Sequence, residues 1–355
     1  MKKIYFLTLH RPNRSPSQRF RFEQYVSFLQ QNGFETRHLF LLSPSDDKLF
    51  YSSNVLSKVW ILIKSTFFLL KSYWSVELDS LVFVQRECYM LGTAFFEKLF
   101  ASKCKLIFDF DDAIWLQNVS DANKKFSFLK NPNKTKEIIQ VSRLVIAGNQ
   151  YLANYAKQYN SNVHVIPTTI DTDYHKPSAE KKKNGELIIG WTGTHSTVKY
   201  IYLIMPVLQK IKAKYSNVLF KVICEDEFRI EELAITTTAW SSEREIEQLS
   251  DIDIGIMPLP DDEWTKGKCG FKGLQYMAMQ APAVMSSVGV NAEIIQHGVN
   301  GFLAHTDEEW FDILCQLIDS EVLRKTIGEA GRKTILEKYS VVANKDKYLS
   351  LLNSL

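Results

Sequence analysis

The stretch Asp253-Ile-Gly-Ile-Met-Pro258-Leu-Pro-Asp261-Asp262-Glu263-Trp264-Thr-Lys266-Gly267-Lys268-Cys-Gly270-Phe271-Lys272-Gly-Leu-Gln275-Tyr-Met-Ala278 sets the terms for the whole chain. It reads as an apolar strand that stops at Pro258, an acidic loop, and a short helix entered through three lysines and three glycines. A near-continuous apolar strand is what a parallel sheet buries on both faces. Exposed backbone amides, the positive end of a helix, and Lys266, Lys268 and Lys272 together suit a pyrophosphate. The acidic residues before them suit sugar hydroxyls. A solvated loop would account for the charges. It would not account for glycines and lysines converging at a strand-to-helix junction.

Outward from this stretch the same alternation recurs. Strand-like runs lie at 187–191, 218–224, 235–240, 253–258, 283–286 and 301–304, with helices expected at 200–215, 242–249, 272–280 and 308–318 and two more in 321–355. The front half offers strands at 4–9, 36–42, 80–85, 105–110, 143–147 and 163–167, and one helix over 17–31 closed by Gly33. Between the halves, 170–186 is polar and charged, with Pro177 and a run of lysines before Gly185. The expected fold is α/β: two doubly wound Rossmann-like domains, 1–170 and 187–355, joined by 171–186 and facing across a cleft. The last helix is a candidate to pack back on the first domain. Ligands of such sheets bind beyond the carboxyl ends of the strands.

Composition narrows the class. The chain has 355 residues, with 22 Phe, 15 Tyr and 7 Trp, enough to bury two cores, so disorder is excluded as its main state. Residues 1–170 hold 22 Lys+Arg against 13 Asp+Glu, and 171–355 hold 21 against 27. A basic front and an acidic back point to different partners. Nucleic acid is not expected, because no aromatic-basic recognition stretch accompanies the charge. The five cysteines include no C-x-x-C pair, and the histidines show no metal-binding spacing, so neither a disulfide framework nor a metal site is expected. The first apolar run ends at His10-Arg11-Pro12, too short for an export signal, so a cytoplasmic protein is expected.

Further motifs lie at strand ends. Gly190-Trp-Thr-Gly193-Thr194-His-Ser-Thr-Val-Lys199 runs from strand through a hydroxyl-rich loop to a helix and is neither Walker A nor G-x-G-x-x-G. It is a phosphate-site candidate or an ordinary capped turn. Asp109-Phe-Asp111-Asp112 ends a front strand, where carboxylates could bind hydroxyls or metal. Arg11 to Arg21 follows the first strand, and its arginines could bind an acceptor phosphate or headgroup. Val59 to Trp74 is strongly apolar and broken by Lys64 and Lys71, too short and charged to span a bilayer. It reads as a core helix with a thin solvent face, or as an interfacial helix on anionic lipid anchored by Trp60 and Trp74.

In combination and order these motifs resemble the GT-B glycosyltransferases, most closely family 4 (group 1). The resemblance rests on Gly190–Thr194, 253–259, 267–278, 282–289 and 293–303, with 109–115 and 165–167 beside them. It implies retaining transfer from a nucleotide-diphosphate sugar, without metal or other cofactor, with the donor on the back domain and the acceptor on the front. Lys199 matches the family's phosphate-binding lysine. Thr194 stands where its arginine is usual, with Lys268 and Lys272 as replacement charge. Of the paired glutamates, the second matches Gln275 and the first Gly267, leaving Asp262 or Glu263 to serve the donor sugar.

The donor nucleotide and phosphate set is thus Gly193, Thr194, Lys199, Lys268, Gly270, Phe271, Lys272 and Gln275. Asp111, Asp112 and Lys272 are the catalytic candidates, and Arg19, Arg21 and Asp109 the acceptor-side ones. The expected partners are a nucleotide sugar, a lipid-linked or oligosaccharide acceptor, and an anionic membrane surface touched peripherally. A non-catalytic sugar- or nucleotide-binding scaffold of the same fold is the competing reading. A dinucleotide oxidoreductase would need a glycine fingerprint after the first strand, which Leu9-His-Arg-Pro does not supply.

Overall fold

Strands form where the sequence is apolar and β-branched or aromatic. The computed structural model describes residues 2–50, 54–116, 131–177, 186–224 and 228–355. They divide into two compact units, Met1–Thr168 with Lys345–Leu355, and Thr169–Asn344. The lysine-rich stretch 180–185 expected at the join lies outside the described residues.

In the first unit the strands are Lys2–His10 (β1), Phe34–Leu42 (β2), Leu81–Gln85 (β3), Lys105–Phe110 (β4), Leu144–Ala147 (β5) and Val163–Val165 (β6). They form one parallel sheet in the order β2-β1-β3-β4-β5-β6, with Ile4 facing Thr36 on one side and Leu81 on the other. Every residue of β3 and β5 is buried, which is why these strands read as unbroken apolar runs.

The second unit repeats the plan with Leu187–Thr192 (β7), Val218–Cys224 (β8), Thr236–Ala239 (β9), Ile254–Met257 (β10), Ala283–Ser286 (β11) and Phe302–Ala304 (β12). Their order is β12-β11-β10-β7-β8-β9, again parallel. The core wraps Trp191, Ile189 and Val222 with Leu208, Trp310 and Leu314 from the flanking helices. These two six-stranded sheets with helices realise the α/β plan read from the sequence.

Two elements depart from that reading. The helix expected over 17–31 is broken: a turn at Pro16–Arg19, a tighter turn at Glu23–Tyr25, and a helix only at Val26–Gln31. Phe20, Arg21 and Phe22 are all buried. Successive residues of a helix point about 100° apart, so no continuous helix turns all three inward. The break does, and Phe22 stacks on Phe6 at 4.6 Å.

The second departure is the helix Val55–Ser75, which has no thin solvent face. It buries Ile61, Ser65, Leu69 and Ser72 and leaves Trp60, Phe67 and Trp74 largely exposed. At the other end, the Glu321–Thr334 and Val341–Asn353 helices follow as two, linked by a widened turn at Ile335–Tyr339.

Candidate active site

In each sheet the first strand is flanked by strands reached in opposite directions, and the loops part there. In the second unit this switch point lies between β7 and β10. Two loops leave it: the one after β7 that begins at Gly193, and the one after β10 that leads to the Phe271–Ala278 helix.

The two loops meet at Gly193. A Cβ there would lie 2.4 Å from the Trp191 ring and 2.7 Å from Lys272 Cε, so only glycine lets the Lys272 stem cross this point. The Lys272 ammonium sits 5.2 Å from the centre of the Trp191 ring, an attraction between cation and π-face that holds the charge in place. Gly270, with φ +68°, turns the chain into the helix, and a Cβ there would strike Ile294. Tyr276, from the same helix, ties the strands below. Its hydroxyl accepts from the Thr192 amide at 2.9 Å and donates to the Ile256 carbonyl at 3.3 Å.

The remaining donor-side residues take these places. Phe271 and Lys272 open the helix and are half-buried, while Lys268 stands 4.9 Å over the Trp264 ring. Thr194 caps a single turn, His195–Val198, and Lys199 follows it, 5.6 Å over Tyr200. Gln275 is buried and donates to Glu245 at 3.3 Å, a carboxylate that Trp240 Nε1 also approaches at 3.4 Å.

Other residues of the loop are engaged locally. Asp262 caps the Glu263–Lys266 turn, accepting from the Thr265 amide at 2.7 Å. Glu263 holds Lys266 at 2.8 Å, with Asp261 at 3.7 Å. The three-lysine cluster is therefore differently disposed from what the sequence suggested: Lys266 is held by carboxylates of its own turn, while Lys268 and Lys272 lie over the Trp264 and Trp191 rings.

In the first unit the switch point lies between β1 and β3. Asp111 and Asp112, just past β4, both accept from Arg86, Asp111 at 2.7 Å. Burial pushes the Asp111 carboxyl up, but Arg86, with help from Arg21, holds it below its ordinary range. It is an ionised hydrogen-bond acceptor rather than a proton reservoir.

Arg86 itself has φ +62°, a strained conformation at the end of β3 fixed by its amide donating to the Asp109 carbonyl at 2.7 Å. Nothing in the sequence marked it, because the strain and the reach to Asp111 are tertiary facts. His10, at the end of β1, is the second residue missed. Its ring lies 4.0 Å from Asp47, which also holds Arg11 and Arg14. Burial first, then Arg14, lowers its pKa to about 4 against the pull of Asp47, so it is neutral near pH 7.

Two of the acceptor-side expectations change character. Arg21 and Asp109 are fully buried against each other in a fork, with Arg21 Nη1 donating to the Ile166 carbonyl at 2.6 Å. They bind each other and lie away from any surface a ligand could reach. Arg19 is half-buried, 5.0 Å over the Phe20 ring. Among the described residues, no three His, Cys, Asp or Glu side chains gather as metal ligands.

Against known proteins, residues 186–320 match the family described as "Glycosyl transferases group 1". The whole chain superposes on sucrose-phosphate synthase of Thermosynechococcus elongatus with a TM-score of 0.71, at 12% identity, covering 100% of this chain and 99% of that one. The fold is that of the GT-B glycosyltransferases. A second GT-B protein, HepE of Anabaena, solved with UDP and glucose, gives a TM-score of 0.65 at 14% identity, with full coverage of both chains. At these identities the likeness carries the fold alone. A curated relative, the poly(ribitol-phosphate) alpha-N-acetylglucosaminyltransferase of Staphylococcus aureus (strain COL), is 30% identical over 88 residues. That match spans 24% of this chain and 18% of the relative's length.

Proposed function

We propose that this GT-B protein transfers a hexose-type sugar from a UDP- or GDP-sugar to a lipid-linked saccharide or a surface-polysaccharide precursor. Transfer would retain the anomeric configuration and need no metal, in the cytoplasm and peripherally on the inner face of the cell membrane. The observation that carries the reading is a coincidence. The group 1 match, residues 186–320, contains the switch-point junction where Gly193, Trp191 and Lys272 meet.

Breaking the sugar–phosphate bond develops negative charge on the departing diphosphate. Lys272 is positioned by Trp191 before that charge appears, and the positive N-terminal end of its helix shares the load. A preorganised donor of this kind is typically worth about 3 kcal/mol of barrier. Lys268 and Lys199 add charge, and Gln275, held by Glu245, offers its amide to a ribose. On the first unit, Asp111 and Asp112 accept hydrogen bonds from acceptor hydroxyls while Arg86 balances their charge. UDP is favoured over GDP by the UDP and glucose held by the Anabaena protein. The named activity of the S. aureus relative favours a surface-polymer acceptor.

A melting-shift screen with UDP, GDP, TDP and CMP tests the donor site. A bound nucleotide at a hundredfold excess over its Kd adds about 2.7 kcal/mol of stability. A clear shift with UDP or GDP is expected, and no shift with any of the four would remove the donor reading. Donor hydrolysis with and without EDTA then tests turnover and metal need. A shift without turnover on any acceptor would favour the scaffold reading, for which Gly267, bare where a carboxylate is expected, is the supporting observation.

A further inference from the structure

We propose that the outward face of the Val55–Ser75 helix is a docking surface for an anionic lipid bilayer. The inference rests on the peripheral placement above and is independent of the transfer chemistry.

The helix is inside out for one that faces only water. Its inward side buries Ser65 and Ser72 together with Ile61 and Leu69. Its outward side exposes Leu56 (80%), Trp60 (60%), Ile63 (45%), Phe67 (69%), Leu70 (38%) and Trp74 (80%). At about 100° per residue these six fall on one arc centred opposite Ser65. A contiguous apolar stripe of this kind marks an interaction site. Trp60 and Trp74 stand four turns apart, about 21 Å, on the same line, where an interfacial helix carries its aromatic anchors.

Charge selects the bilayer over a second copy of the chain. Lys64 and Lys71 border the stripe and are exposed, and no Asp or Glu lies between residues 55 and 76. Lys64 reaches back to Asp46 at 2.6 Å, and Glu77, the first carboxylate after the helix, is held by Lys3. With Lys64 balanced by Asp46, two copies packed face to face would still bring Lys71 of one against Lys71 of the other with no carboxylate on the stripe to receive them, at a like-charge cost. Anionic headgroups complement Lys71, with its stem lying along the apolar surface and its ammonium group in the headgroup layer. Among the described residues no helix is long and apolar enough to cross a membrane, so this one lies flat.

The test is sedimentation of the full chain with phosphatidylcholine vesicles, with and without phosphatidylglycerol. Binding to the phosphatidylglycerol vesicles that weakens with salt is expected. The variant Trp60→Ser/Phe67→Ser/Trp74→Ser should bind at least about thirtyfold more weakly. Lys71→Gln should lose about fivefold and part of the preference for the anionic lipid. Both should keep the circular dichroism and the nucleotide melting shift of the parent. Quenching of the unmodified chain by brominated lipid, reduced in Trp60→Phe/Trp74→Phe, tests the same contact without a destabilising change. No sedimentation of the parent, equal binding by the triple variant, or a dimer that the triple variant dissociates would each overturn the proposal. A lost nucleotide shift with vesicle binding intact would instead overturn the donor reading and leave this one standing.

Discussion

Lys272 is the residue on which the donor site turns. Its stem crosses Gly193 and its charge rests on Trp191, so its position is set before any ligand arrives. Lys272→Ala should weaken UDP binding by about ten- to hundredfold, as expected for one charge-assisted contact. Calorimetric titration reads this directly, and unchanged affinity would clear Lys272 of a phosphate role. Histidines of the first unit give a second expectation. His10 and His38 are both lowered by burial to about 4 from 6.5. The unfolded chain takes up these protons near pH 6.5, while the folded unit refuses them until about pH 4. Their stabilisation is thus complete above pH 6.5 and is lost as pH falls toward 4. His38→Gln can keep a polar partner for Thr8, now 2.7 Å from His38 Nε2, while removing one titration. Urea unfolding across this window should then show a shallower pH dependence, and an unaltered slope would count against the assignment.

Elements explain what the sequence could and could not disclose. Among the described residues the inner strands lie where apolar runs stand, because a strand buried on both faces must be apolar throughout, whereas the edge strand β9 is Thr-Thr-Thr-Ala. The lysine and glycine loop was legible for the same local reason. What escaped depends on contacts distant in sequence: Arg86 meeting Asp111, Arg21 folding inward onto Asp109, and Glu245 reaching Gln275. Lys266 misled because its neutraliser sits three residues earlier, a pairing visible only once the turn exists. Tyr276 tests how far one helix positions its neighbours. Tyr276→Phe leaves the buried Thr192 amide without its acceptor, which costs about 1–3 kcal/mol. The loss should appear in urea unfolding together with weaker UDP binding, since Thr192 leads directly into Gly193. Gly193→Ala should be harsher on binding, because the added methyl meets Trp191 and Lys272 at once.

Across the whole molecule, the sequence assigned to the first unit is discontinuous. Lys345–Leu355 belongs with Met1–Thr168. Tyr348 is fully buried there and stacks on Tyr25 at 4.4 Å, while Lys347 donates to the Val165 carbonyl at 2.8 Å. Tyr348→Ala should cost the first unit about 3–5 kcal/mol, the usual range for truncating a buried aromatic. The nucleotide-induced rise in melting, which belongs to the second unit, should persist. Loss of that rise would show that the two units do not report separately.

The same discontinuity fixes an order of events during synthesis. Tyr25 leaves the ribosome early, but the ring that covers it is made only after all of Thr169–Asn344 has been translated. The second unit can therefore close while the first still shows an uncovered aromatic seam. That interval is when a nascent chain of this design would lean hardest on a chaperone.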